Sequence, residues 1–434
     1  MTNIFSLYFQ LIERFLTQSM WRDEAFTALM IKKSYGEIFH TTANDFNPPL
    51  YYFLMKTLSL LFIYADPIFL RMVSVFFLVF SAILIYLICK KVFTLSNYLS
   101  IFGVFVFLTS PVLLYYGFEA RMYMMFVFFS ILSFYLSFRK NFLFSFILFL
   151  GLNTHYYFIV VFFSFWLFEL YQNKFENLLA KSKLFFIPLF FSFPWLLFAL
   201  RNCLTPSCYF WISTSNISDF PQILGVIYLG YEEVWNYFQS QILPISLLIS
   251  LITLISFIAW KKNSKDQNSI FLFILSYGCA VVFFIVSLYK PLFVPRYLIF
   301  TSTFFLIYIF STLKYFSKVQ AFFILIIFFS INTSFNHESL KYKKKDDWQS
   351  SLKNLEKSAS KNDNFYTLDA TEYFTLCFYL PCDRVYIAED MKNIPYYVGI
   401  ALIPKEKIIG KLDSRSPPGI IIKSPHSYQV HPKK

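Results

Sequence analysis

Two short segments of this chain concentrate carboxylates between apolar runs. The first is Trp21-Arg22-Asp23-Glu24-Ala25-Phe26, and the second is Asp45-Phe46-Asn47-Pro48-Pro49-Leu50-Tyr51-Tyr52. An ordinary Asp titrates at about 3.9, so Asp23 is expected to be ionised and able to take a proton from an attacking hydroxyl, with Asp45 a further acidic candidate for the site. Glu24 belongs to the same acidic set of catalytic candidates. It cannot share the direction of Asp23, because helix neighbours point about 100° apart. Structural alternatives stand beside these readings. Asn47 before Pro48 fits a helix N-cap followed by a first-turn proline, and an acidic Asp23 suits a helix N-terminus.

A second group holds cations and rings: Glu119-Ala120-Arg121-Met122-Tyr123, Thr154-His155-Tyr156 and Pro295-Arg296-Tyr297. Arg grips phosphate oxygens with a two-pronged fork, which makes Arg121 and Arg296 candidate phosphate ligands. Interfacial snorkelling is the alternative for either one alone. Glu119 lies two residues from Arg121, so the two would not face each other on a continuous helix. It is a candidate for binding an acceptor or a divalent cation. No Asp-X-Asp pair supports a metal, and carboxylates alone do not identify one. His155 could assist phosphate binding or titrate near neutrality; the alternative is a structural hydrogen bond. Tyr115, Tyr116, Tyr123, Tyr156, Tyr157 and Tyr297 form either an interfacial aromatic belt or sugar-stacking platforms.

The elements that must position these residues are membrane spans. Of 434 residues, 57% are hydrophobic and only 15% charged, and the mean hydropathy is +0.54. That composition excludes an ordinary water-soluble domain. Spans of about 20 apolar residues are expected near 67–89, 95–114, 122–138, 142–154, 157–172, 184–200, 242–260, 270–289, 297–313 and 319–332, with Ile4 to Met20 as a poorer first one. That first segment carries Glu13 and Arg14 and does not read as a cleavable signal; either it spans, or the true start lies upstream. The net charge of +13 is distributed by loop. Lys90-Lys91, Arg139-Lys140, Lys174 with Lys181 and Lys183, Lys261-Lys262 with Lys265, and Lys314 with Lys318 fall in alternate loops, which the positive-inside rule makes cytoplasmic. The loops with the motifs are then outside, and so is everything after about Ile331.

The expectation is an all-α polytopic bundle of about eleven spans over 1–331, with outer loops 21–66 and 201–241, followed by a small periplasmic α/β domain over 332–434. Strands are expected at Phe365 to Ala370, Val385 to Ala388, Val398 to Ile403 and Gly419 to Ile422. Cys203 with Cys208 and Cys377 with Cys382 lie in outer segments, where each pair is either a local disulfide or two free thiols.

The order and spacing of Asp23-Glu24, Asp45 with Asn47 to Tyr52, Glu119 to Tyr123, Thr154 to Tyr156 and Pro295 to Tyr297 resemble the bacterial branch of the GT-C membrane glycosyltransferases, near the protein O-mannosyltransferases and lipid A aminoarabinose transferases. The resemblance covers about residues 19 to 330. It implies inverting transfer of a sugar from a polyprenyl-phosphate carrier to a lipid, glycan or protein acceptor at the outer face of the bacterial inner membrane. It also implies Asp23 as base or acceptor-positioning group, with Asp45 as a second acidic residue. The short N-terminal span departs from the family pattern. The rival reading is a transporter or flippase of lipid-linked sugars; such proteins show paired repeats and mid-membrane charges, whereas this chain has no visible repeat and gathers its charges at one face.

Overall fold

The computed structural model describes residues 3–45, 47–62, 66–139, 141–174, 176, 178–203, 212–230, 239–263, 266–360, 362–412 and 416–431. Its helices are α1 (Ile4–Thr17), α2 (Arg22–Met30), α3 (Tyr35–Ala43), α4 (Leu50–Phe62), α5 (Pro67–Leu87), α6 (Asn97–Thr109), α7 (Pro111–Tyr116), α8 (Tyr123–Ser137), α9 (Phe142–Leu152), α10 (Phe158–Gln172), α11 (Leu178–Cys203), α12 (Ile223–Leu229), α13 (Gln239–Asn263), α14 (Gln267–Phe273), α15 (Cys279–Ser287), α16 (Ile299–Thr312), α17 (Lys318–Tyr342), α18 (Trp348–Ser358) and α19 (Tyr373–Tyr379). The chain divides into two compact units. One comprises Met1–Glu13, Met72–Phe193 and Ile212–Lys343, and the other Arg14–Arg71, Pro194–Trp211 and Lys344–Lys434.

The first unit is a helical bundle. Among the described residues, five stretches are long and apolar enough to cross a membrane: Pro67–Val92, Ser182–Asn202, Gln239–Asn263, Gln267–Ser287 and Lys318–Tyr342. The expected spans near 95–114, 122–138, 142–154, 157–172 and 297–313 coincide with shorter apolar helices. The bundle is centred on α16, buried along its whole length from Ile299 to Thr312. A helix apolar all round is one enclosed by others, and α16 packs against α8, α14 and α6. The outward faces of α5 and α13 remain apolar and exposed, at Phe76, Phe80, Leu251 and Leu254 among others, as lipid contact requires.

Breaks in these helices create the site. Pro111 supplies no amide proton and opens α7 at its first turn, so α6 ends at Thr109. The carbonyls this leaves without helical partners are met from α17: the Asn332 amide donates to Val106 O at 3.0 Å, and Asn336 donates to Thr109 O at 2.8 Å. Tyr228 Oη donates to Asn332 Oδ1 at 2.7 Å and completes the network. In a bilayer such groups have no water to fall back on, so polar side chains do this work.

The second unit holds α2 to α4 and a four-stranded sheet of order β2-β1-β3-β4, with β1 (Asn364–Thr367), β2 (Val385–Ile387), β3 (Gly419–Ser424) and β4 (Ser427–His431). β1 pairs in parallel with β2 and β3, and β3 turns back into antiparallel β4. Three of the expected strands are present. The fourth, Val398 to Ile403, is instead a pair of 3-10 turns, Tyr396–Val398 and Ile400–Leu402, on either side of Gly399. Gly399 has φ +88° and lies where an added Cβ would meet Phe26 at 2.8 Å, a conformation and a closeness that suit glycine and interrupt a strand. β4 was not expected; its residues are exposed on both faces except at the end, which removes the alternation that marks a strand. Cys377 and Cys382 form a disulfide. Cys208 and the Cys203 side chain lie outside the described residues.

Candidate active site

In the helical bundle, residues 117–122 form a non-helical break between α7 and α8, which separates Glu119 and Arg121 as their spacing implies. Gly117 ends α7 where an added Cβ would meet Leu78 at 2.7 Å and the Leu113 carbonyl at 2.8 Å. Ser74 Oγ donates to the main-chain carbonyls of Glu119 and Arg121, so α5 fixes the break. Glu119 and Arg121 are both buried. A second break, residues 153–157, separates α9 from α10. It is held by Asn153, whose amide donates to Ser192 Oγ at 2.8 Å, and by Thr154 Oγ1, which donates to Leu150 O at 2.8 Å.

His155 lies in this second break and stacks on Phe126, with ring centroids 4.9 Å apart and planes within 3°. Its Nδ1 accepts the Tyr157 amide at 3.2 Å, which leaves the proton on Nε2. Burial first, and the Arg121 charge second, push its pKa down to about 3. His155 is therefore neutral at physiological pH, against the expectation of titration near neutrality. The Tyr297 ring lies 5.5 Å from His155 and 5.4 Å from Tyr157, and Tyr123 lies 6.0 Å from His155. Arg296, buried, directly precedes Tyr297 in the turn that leads into α16. The structure thus brings together Arg121, His155 and Tyr297, with Tyr123 and Tyr157 among them. Tyr156 is half-buried in the same loop. One cation went unforeseen as a site residue: Lys343 is buried, with Nζ 3.4 Å from the centre of the Tyr115 ring.

In the second unit Asp23 and Glu24 share the first turn of α2 and have different surroundings. The Glu24 carboxylate is wholly buried. It accepts two hydrogen bonds from Arg71, Nε to Oε1 at 2.8 Å and Nη2 to Oε2 at 2.7 Å, and a third from Lys345 Nζ at 2.8 Å. Burial alone would raise its pKa, but the Lys345 and Arg71 charges outweigh that and hold it below the usual carboxylate range. Both oxygens accept hydrogen bonds from buried cations, which anchors Glu24 within this unit. Asp23 keeps an 18% exposed side chain and an ion pair with Arg22 Nε at 3.3 Å.

Asp45 is buried in the turn after α3. Asn47 does not cap a helix at Pro48, since α4 begins at Leu50; its amide donates to Asp45 Oδ2 at 3.2 Å. The turn is clamped from outside. Asn202 donates to Asp45 O at 2.9 Å, Arg201 to Ala43 O at 3.0 Å, and Tyr396 Oη to Asn44 O at 2.6 Å. Among the described residues, no three His, Cys, Asp or Glu side chains gather as a metal would need, and no metal is assigned a role.

Apolar helices interrupted by polar breaks, several of them long enough to cross a membrane, define a multi-pass membrane protein that carries a small sheet. Among solved structures, the chain is similar to ArnT from Cupriavidus metallidurans in the apo state, with 10% sequence identity, 96% of this chain and 90% of that chain covered, and a TM-score of 0.51. The likeness is one of fold. No family model matches the sequence, and no curated protein sequence matches it.

Proposed function

We propose that this protein is a GT-C glycosyltransferase of the bacterial inner membrane that moves a sugar from a polyprenyl-phosphate donor to a lipid, glycan or protein acceptor at the outer face. The observation that carries the reading is the buried cationic and aromatic cluster of Arg121, neutral His155 and Tyr297, with Arg296 beside it, in a fold shared with ArnT. Arg grips phosphate oxygens with a two-pronged fork, and a lipid phosphate is an anion that a membrane supplies.

In this reading Asp23 accepts the proton of the acceptor hydroxyl as its oxygen bonds to the anomeric carbon. The bond from that carbon to the carrier phosphate breaks on the opposite side, with inversion. Arg121 and Arg296 hold the phosphate as it gains charge, the condition under which fixed cations accelerate a reaction most. His155 offers its Nε2–H to a phosphate oxygen, Tyr156 and Tyr297 flank the sugar, Asp45 shapes the acidic side, and Glu119 binds acceptor hydroxyls. The Cys377–Cys382 disulfide supports an oxidising, extracytoplasmic location for the sheet.

The test is turnover of a polyprenyl-phosphate sugar in proteoliposomes. Asp23→Asn keeps size and polarity but cannot accept the proton; it is expected to lower turnover at least 1,000-fold, as loss of a general base can, while protein yield is unchanged. Wild-type turnover by this variant would overturn the assignment of Asp23.

A further inference from the structure

Arg71 lies five positions into α5, in the apolar sequence Pro67-Ile68-Phe69-Leu70-Arg71-Met72-Val73. It is wholly buried, and a charge in such a place carries a large desolvation cost unless every donor is met. All of them are. Besides its two bonds to Glu24, Nη1 donates to Leu16 O at 2.8 Å and Gln18 O at 2.7 Å, and Nη2 donates to Ser19 O at 3.2 Å. One planar fork therefore ties down the end of α1, the turn that follows it and the first turn of α2. Lys345 adds the second cation from a different segment of the unit, 5.5 Å from the centre of the Trp21 ring and bonded to Glu24 Oε2.

We infer that Arg71 and Lys345 are positioning residues that set the direction of Asp23 by locking its neighbour Glu24 inward. Adjacent helical side chains diverge by about 100°. With Glu24 fixed at the start of α2 and the preceding turn fixed by the same guanidinium, the Asp23 Cα–Cβ bond is fixed too and points away from Glu24, so its carboxylate is confined to the rotamers on that side. The main-chain bonds matter as much as the charge. Lys at position 71 offers three donors on a flexible stem and cannot reproduce five in a plane. Oriented groups lose much of their effect with misplacement of the order of 1 Å, so the clamp acts on the rate of the chemical step and leaves donor binding alone.

The inference rests on the glycosyl-transfer reading for its kinetic consequence, and a chemical readout keeps the two separable. Lys345→Met and Arg71→Lys are compared with wild type and with Lys345→Arg for donor turnover in proteoliposomes and for carbodiimide labelling of carboxylates in folded protein, read by mass spectrometry. Wild type is expected to label at Asp23 and to protect Glu24. Lys345→Met is expected to lower kcat tenfold or more per folded molecule, with donor KM within twofold and Glu24 open to label, and Lys345→Arg is expected to restore both. Glu24 labelled as readily as Asp23 in wild type, or kcat unchanged in both Lys345→Met and Arg71→Lys, would overturn the inference. Absence of transfer by wild type would overturn the functional reading instead, and the labelling then decides the clamp by itself.

Discussion

Asp23 and Glu24 are neighbours in the chain with opposite surroundings. The motif alone gives three carboxylates; burial and partners separate Glu24, enclosed by Arg71 and Lys345, from Asp23, still partly exposed. Arg71 was legible in principle, because a lone arginine in an apolar run must have a specific partner. Lys345 was not, since it is one of four lysines between 341 and 345 and only tertiary packing selects it. A third carboxylate shows the cost of burial without a cation. Glu372 is half-buried in the sheet-bearing unit, with Oε2 lacking a hydrogen-bond partner. Burial first, then the charges of Asp369 and Asp346, raise its pKa from 4.5 to about 7. The folded protein therefore holds a proton between those values that the unfolded chain has released. Its contribution is best below pH 4.5, declines as pH rises to 7 and is flat above. Glu372→Gln should raise the melting temperature at pH 8 and leave it unchanged at pH 4. The gain at pH 8 should be about 1–2 kcal/mol once solvent screening of this partly exposed group is allowed for. Thermal melts of the detergent-solubilised pair at the two pH values check it.

At the scale of elements, the sequence announces helices well and their interruptions unevenly. Ser110-Pro111 marks the end of α6 on steric grounds, whereas the assignment of Val398 to Ile403 as a strand fails on Gly399, which has a positive φ and leaves no room for a Cβ beside Phe26 of another element. The same dependence on neighbours governs Gly151. It lies in the last turn of α9, and an added Cβ would come within 2.2–2.4 Å of the Phe158 ring, itself fully buried at the start of α10. Close approach at this point is what lets the chain fold back over residues 153–157 and carry His155 onto Phe126. Gly151→Ala must push that ring away, an overpacking that costs about 1–3 kcal/mol. The expected result is a melting temperature lower by several degrees together with weaker donor binding, because the displaced loop carries His155. Gly151→Ala with wild-type stability and donor KM would show that the loop adjusts freely. Neither glycine would have drawn notice in one sequence, because what makes each necessary is an aromatic ring far away or across a turn.

At the scale of the whole molecule, orientation follows from charge counted by helix end. Lys90, Lys91, Arg139, Lys174, Lys261, Lys262, Lys314 and Lys318 occur where α5, α8, α10, α13 and α16 end and where the next helix begins. The opposite ends of α8, α10 and α16 carry the breaks with Arg121, His155 and Arg296. Translocating a cluster of lysines is disfavoured during insertion, and we propose on that ground that the lysine-bearing ends stay in the cytoplasm and the breaks face outward. The bias repeats at five separate helix ends, whereas a single loop could carry its lysines by accident. It predicts the outcome of labelling with a membrane-impermeant maleimide in intact spheroplasts, measured over the background of the native cysteines. Lys290→Cys, exposed in the turn before α16, and Lys423→Cys, exposed on β3, should label directly. Arg139→Cys, exposed between α8 and α9, should label only after permeabilisation. The reverse pattern would place the cationic and aromatic cluster on the cytoplasmic side. A donor presented at the outer face could not then be its substrate, and the transfer proposed for Asp23, Arg121 and Arg296 would have to draw on sugar carriers available before translocation.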